Sequence, residues 1–89
     1  MPCEGLEQLQ YFVRIVEAHS FNRAAAQLNI TQPALSNSIR MLEKELGVEL
    51  LERSRQGVHP TAWGVHIYED CKELLGALEE KIRSWKQDG

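Results

Sequence analysis

Residues Thr31 to Gly47 read TQPALSNSIRMLEKELG. One edge of this stretch carries Leu35, Ile39, Leu42 and Leu46, spaced four, three and four, which is an apolar stripe at helical period. The opposite edge of the first two turns carries Gln32, Pro33, Ser36, Asn37 and Arg40. A solvated helix face is ordinarily built from Glu and Lys. A face of amides and hydroxyls with one cation needs another explanation.

The residues on either side supply the frame. Leu6, Leu9, Phe12, Val13 and Val16 have helical spacing and predict a first helix from about Leu6 to Glu17. Ser20 is a candidate N-cap for a second helix from Phe21 to Leu28. Its inner side carries Ala24, Ala25 and Leu28, and the alanines let another helix approach closely. Asn29 suits the left-handed conformation that ends a helix. Thr31 caps the third helix, where Pro33 is tolerated because first-turn amides lack intrahelical partners, and Gly47 ends it. The second and third helices are joined by Asn29, Ile30 and Thr31 alone, the spacing of a helix-turn-helix.

Beyond it, Val48 to Arg53 reads as a short strand, SRQG at 54–57 as a turn, and Val58 to Pro60 as a returning strand. Such a hairpin is a wing. Thr61 caps a last helix, Ala62 to Lys86, whose apolar positions Tyr68, Cys71, Leu75, Leu78, Ile82 and Trp85 are spaced three, four, three, four, three. That heptad seam points to a second copy of the chain as its cover. The expected fold is therefore mostly α: a winged helix-turn-helix over residues 1–60, then a long linker or dimerisation helix over 61–89. The sequence stops just past that helix, as a segment of a longer protein would.

With 89 residues, 43% hydrophobic and 26% charged, the chain is a single ordinary globular domain. No apolar run is long enough for a membrane span, so no membrane partner is expected. The N-terminus lacks the basic and apolar regions of a signal peptide, which points to the cytoplasm. Cys3 and Cys71 form no CxxC, and His19, His59 and His66 form no ligand set, so neither a metal nor a cofactor is expected. No nucleophile is paired with a base, so no catalytic set is expected either.

The net charge of −3 argues against nucleic acid only when read globally. No acidic residue occurs between Glu17 and Glu43, a window holding Arg23 and Arg40. None occurs between Glu52 and Glu69, a window holding Arg53 and Arg55. In a helix-turn-helix the second helix meets base edges with its N-terminal residues. Asn and Gln pair with adenine, Arg with guanine, and Ser with either, while a carboxylate would repel phosphate. The face of Gln32, Pro33, Ser36, Asn37 and Arg40 fits that demand, with the positive end of the helix dipole beside it. Arg53 and Arg55 are placed to reach a backbone or a narrow minor groove. For Arg53 a pairing with Glu49 or Glu52 is the blander alternative, and for Arg40 a pairing with Glu43.

The run SFNRAAAQLNITQPALSNSIRMLEKELGVELLER, Ser20 to Arg53, resembles the DNA-binding domain of LysR-type transcriptional regulators. The likeness rests on the paired alanines, the TQPALS helix start, the I–LE–LG pattern and the LLER strand, and continues through VHPTAWG. It implies a winged helix-turn-helix, a linker helix paired antiparallel with a partner's, and double-stranded DNA with a partly palindromic promoter site. Gln32, Pro33, Ser36, Asn37 and Arg40 would meet bases. Asn22, Arg23, Thr31, Arg53 and Arg55 would meet the backbone. The family also implies a C-terminal domain, outside this sequence, that binds a small effector and builds tetramers. Asn37 stands where the family often has Arg, and Ser38 where it often has Gln, so base preference should differ. Leu51 replaces a frequent Phe, Pro60 a common Leu and Trp63 a common Ala. A helical protein-interaction module without DNA binding is the competing reading.

Overall fold

A computed structural model describes residues 4–86, so the reading of Cys3 lies outside it. Four helices and one hairpin follow in the order α1 (Glu4–Ala18), α2 (Phe21–Leu28), α3 (Gln32–Leu46), β1 (Leu51–Ser54), β2 (Gly57–Pro60) and α4 (Ala62–Lys86). Each expected helix is present, with α1 longer by two residues at its start and one at its end.

The helix ends are set by short-range chemistry. The Ser20 hydroxyl accepts from the Arg23 amide at 3.1 Å, and the Thr31 hydroxyl from the Ala34 amide at 3.2 Å. Asn29 takes φ 61°, and the amide of Ile30 closes back on the Ala25 carbonyl at 3.0 Å, so α2 stops and the chain turns within three residues. Gly47, at φ 75°, ends α3 with its amide on the Glu43 carbonyl at 2.8 Å.

The core sits where α1 crosses the other elements. Phe12, Ile15, Leu35 and Leu50 are fully buried, and Ala24 and Ala25 let α2 lie close against them. Each such large apolar side chain contributes about 1.5–3 kcal/mol on burial.

The hairpin differs from expectation. The pairs Leu51–Pro60, Glu52–His59, Arg53–Val58 and Ser54–Gly57 align antiparallel, so β1 starts three residues later than Val48 and runs one residue further. The reason lies in α3. The Glu43 carboxylate accepts the amides of Leu50 and Leu51 at 2.7 and 3.2 Å, tying the segment before β1 to the helix instead of to a strand partner. The turn shrinks to Arg55 and Gln56. Gly57, at φ 120°, lets the hairpin close over the α1–α2 turn, and the Val58 amide reaches the His19 carbonyl at 3.5 Å.

The long seam is also divided. Cys71 is buried in the chain's own core, so it is not open to a partner as expected, while Tyr68 and Leu75 pack against that core and stay half-buried. Glu17 fastens this half of α4 to α1. One of its carboxylate oxygens accepts from the Tyr68 hydroxyl at 2.9 Å and from Lys72 at 3.0 Å. Burial opposes the charge on Glu17, yet those two bonds outweigh it and hold the carboxyl below its ordinary range. Burial, with Asp70 beside it, pushes the Cys71 thiol up, which makes it inert packing. The exposed stripe farther along is Leu74, Leu78, Ile82 and Trp85, and Leu74 was not foreseen. No helix of the described residues is long and apolar enough to cross a membrane.

The base of α4 is fixed by contact. Thr61 caps it, accepting the Gly64 amide at 3.0 Å while donating to the Glu49 carbonyl at 2.6 Å. Gly64 lies directly against the Leu50 carbonyl, where a Cβ would collide with backbone. Gly64→Ala should therefore lose about 1–3 kcal/mol through overpacking. At about 4–8 °C per kcal/mol for a domain of this size, a thermal melt should show a clear drop. An unchanged midpoint would mean that the helix is free to shift away.

Candidate nucleic-acid interface

The interface assembles around the N-terminal half of α3. Leu35, Ile39 and Leu42 turn inward and are buried, which forces Pro33, Asn37 and Arg40 outward, all exposed. Gln32 and Ser36, one turn apart, lie half-buried at the edge facing the wing. Gln32 Nε2 donates to the Ser36 hydroxyl at 2.8 Å. Asn37 Nδ2 makes only a weak 3.8 Å contact with the sulfur of Met41, so its carboxamide remains accessible. Met41, itself exposed, widens this face beyond the sequence reading.

Asn22 and Arg23 stand exposed on the first turn of α2. A shallow cleft of about 250 Å³ brings Asn22, Gln32, Arg53 and Ser54 to one rim, so α2, α3 and the wing meet there. The Thr31 hydroxyl is used in its cap. Arg55 is at the tip of the hairpin, exposed. Among the described residues, no carboxylate lies within ion-pairing distance of Arg40, Arg53 or Arg55, which removes the Glu43, Glu49 and Glu52 alternatives.

Arg53 has a more defined place than a free wing cation. Its guanidinium lies over the Phe21 ring, 4.2 Å from the centroid, and Nη2 approaches the Ser36 hydroxyl at 3.4 Å. Sequence reasoning missed this contact, because Phe21 read simply as the first apolar residue of α2. The only available signal was an aromatic at a helix start and a cation in the following hairpin, which is weak.

The family sequence model described as bacterial regulatory helix-turn-helix protein, lysR family, matches residues 6–65. The chain belongs to the LysR family. Its curated relatives include the HTH-type transcriptional regulator TfdT of Cupriavidus pinatubonensis, 38% identical over 78 residues, which are 88% of this chain and 34% of that protein. The HTH-type transcriptional regulator BenM of Acinetobacter baylyi is 42% identical over 82 residues, 92% of this chain and 27% of that protein. The chain thus spans about a third or less of the relatives it matches. Among solved structures, the BenM_DBD/catB site 1 DNA complex aligns with a TM-score of 0.85 at 41% identity, covering 92% of this chain and 91% of that one. The CbnR_DBD–DNA complex gives 0.75 at 36% identity, covering 92% and 98%. The relatives named are regulators of transcription, in agreement with the expectation that the chain is no enzyme.

Within this LysR head, the wing's distance from α3 depends on Glu43. Its carboxylate is the acceptor for two amides at the start of the hairpin, one of them on fully buried Leu50. Glu43→Ala should cost about 1–3 kcal/mol, since those donors are left without a partner. Glu43→Gln keeps one acceptor oxygen and should recover part of the loss. Urea midpoints and hydrogen exchange at the Leu50 and Leu51 amides would measure both. Equal exchange in wild type and Glu43→Ala would show that the brace is dispensable.

Proposed function

We propose that this chain is the operator-binding and dimerising part of a LysR-type transcription regulator of the cytoplasm. The observation that carries the reading is the outward face of α3. From Gln32 to Arg40 its exposed and edge positions hold carboxamides, hydroxyls and one arginine with no acid among them, and the wing stands alongside. Gln32, Pro33, Ser36, Asn37 and Arg40 serve as base contacts in the major groove of double-stranded DNA. Asn22, Arg23, Thr31 and Arg55 serve as backbone contacts around it, and Arg53 joins them from the wing. The complexes of BenM_DBD and CbnR_DBD with DNA support the same use of this fold. Two copies pair through the distal stripe of α4, Leu74, Leu78, Ile82 and Trp85, and present two heads to a partly palindromic site. In the longer protein a C-terminal domain takes the small effector and builds the tetramer. Residues 1–60 act as the reading head and 61–89 as the linker, with the first turns of the linker sharing the core of the head.

Asn37 tests the reading face. Losing a good carboxamide–adenine pair costs about 1–3 kcal/mol at one base pair and little elsewhere. Selection from randomised duplexes should show Asn37→Ala flattening one position per half-site, and Asn37→Arg moving that position toward guanine. Arg55→Ala should instead weaken all sequences alike and lower the salt slope by about one. The same motif from the unmodified chain and both Asn37 variants would remove Asn37 from the interface, and an unchanged salt slope in Arg55→Ala would remove Arg55.

Leu78 tests the pairing. Leu78→Glu places a charge where an apolar partner is expected, which costs several kcal/mol unless the two helices separate. Sedimentation should then give a monomer with its head still folded. A persistent dimer would place the interface elsewhere.

A further inference from the structure

Ser36 is the point where the wing meets α3. Its hydroxyl oxygen has two lone pairs. One receives Gln32 Nε2 at 2.8 Å and the other faces Arg53 Nη2 at 3.4 Å. Arginine only donates, so toward Arg53 the hydroxyl must accept. The guanidinium is held from behind by the buried ring of Phe21, 4.2 Å from its centroid. Its position is thus set by the start of α2 as well as by β1. The chain of contacts runs from Phe21 to Arg53, to Ser36, to Gln32, and it ends on the first residue of α3.

The chemical consequence concerns Gln32. A carboxamide with a free nitrogen and a free oxygen pairs with adenine through both atoms. Here one of the two N–H donors of that nitrogen is spent on Ser36, which pins the amide plane and leaves the carbonyl oxygen as the fully free end to meet a base. In the major groove the donors are the amines of adenine and cytosine, whereas guanine and thymine present acceptors. We propose that Arg53 is a positioning residue that, through Ser36, holds Gln32 with its carbonyl oxygen toward the groove and so selects an amino base (adenine or cytosine) over a keto base on one strand at one pair of each half-site. This rests on the DNA-binding reading and adds a rule of specificity to it. Lysine at position 53 would preserve the charge but lacks the planar fork that lies on Phe21 while reaching Ser36.

The experiment is selection from randomised duplexes with the 89-residue chain and with Gln32→Ala, Ser36→Ala, Arg53→Lys and Arg53→Ala. Gln32→Ala marks the base pair concerned. At that pair the unmodified chain should prefer amino over keto bases by about tenfold, the scale of one good base contact. Arg53→Lys should reduce that preference to less than about twofold and leave other positions unchanged, and Ser36→Ala should reduce it likewise, with any further change confined to the base pair that Ser36 itself meets. The salt slope of Arg53→Lys should match the unmodified chain, because the charge is kept. Retention of the amino preference by Arg53→Lys would overturn the proposal. So would an Arg53→Lys loss spread evenly over all positions, the mark of a disturbed head; Arg53→Ala, which also gives up the wing's backbone contact, should lose the amino preference and add a uniform weakening with a salt slope lower by about one. If the unmodified chain selects no motif at all, the DNA-binding reading itself falls, and the positioning role falls with it.

Discussion

The carboxylate of Glu43 accepts two consecutive backbone amides, and the arrangement of the whole head follows from that. A strand that began at Val48 would direct these amides to a neighbouring strand. Held by Glu43 instead, they bend the chain past the end of α3 and bring β1 alongside the first turns of the same helix. Leu50 is thereby driven into the core, and its carbonyl becomes the surface on which Gly64 rests. One acid in the last turn of α3 thus places both the wing and the base of α4. It also explains why that acid, one turn from Arg40, is compatible with binding an anionic polymer: its charge is met by two backbone N–H groups.

The last helix serves two surfaces. Its first half completes the core, through Cys71 and the Glu17–Tyr68–Lys72 cluster. Its second half leaves Leu78, Ile82 and Trp85 open to solvent. A heptad pattern reports that one side of a helix is apolar. It does not report where an intramolecular neighbour stops and an intermolecular one begins. That boundary falls near Leu75, and only the position of α1 locates it.

The same distinction separates what was legible in the sequence from what was not. Ser20, Asn29, Thr31 and Gly47 act within a turn of themselves, by side-chain caps or left-handed backbone, so the helix ends could be placed almost to the residue. The outward direction of Asn37 and Arg40 followed from the inward direction of Leu35 and Ile39. The Glu43 brace joins residues seven and eight apart, and the Arg53–Ser36 contact spans seventeen. Such contacts depend on how the elements are folded against one another, and no local pattern announces them. Burial of Cys71 was equally invisible, since a residue on an apolar stripe has the same sequence signature whichever chain covers it.

The close seat of Gly64 on the Leu50 carbonyl has a mechanical consequence. A helix attached through a flexible connector would let each head swivel. Here the 25 residues of α4, about 37 Å at about 1.5 Å per residue, are jammed at one end against the backbone of the head. The helix and the head move as one lever. In a paired assembly the separation of the two α3 helices would be set by the crossing of two stiff rods rather than by a tether. Any tilt imposed on the far end of α4 would be carried to α3 by rocking the whole head, with the amplitude at α3 fixed by the length of the arm.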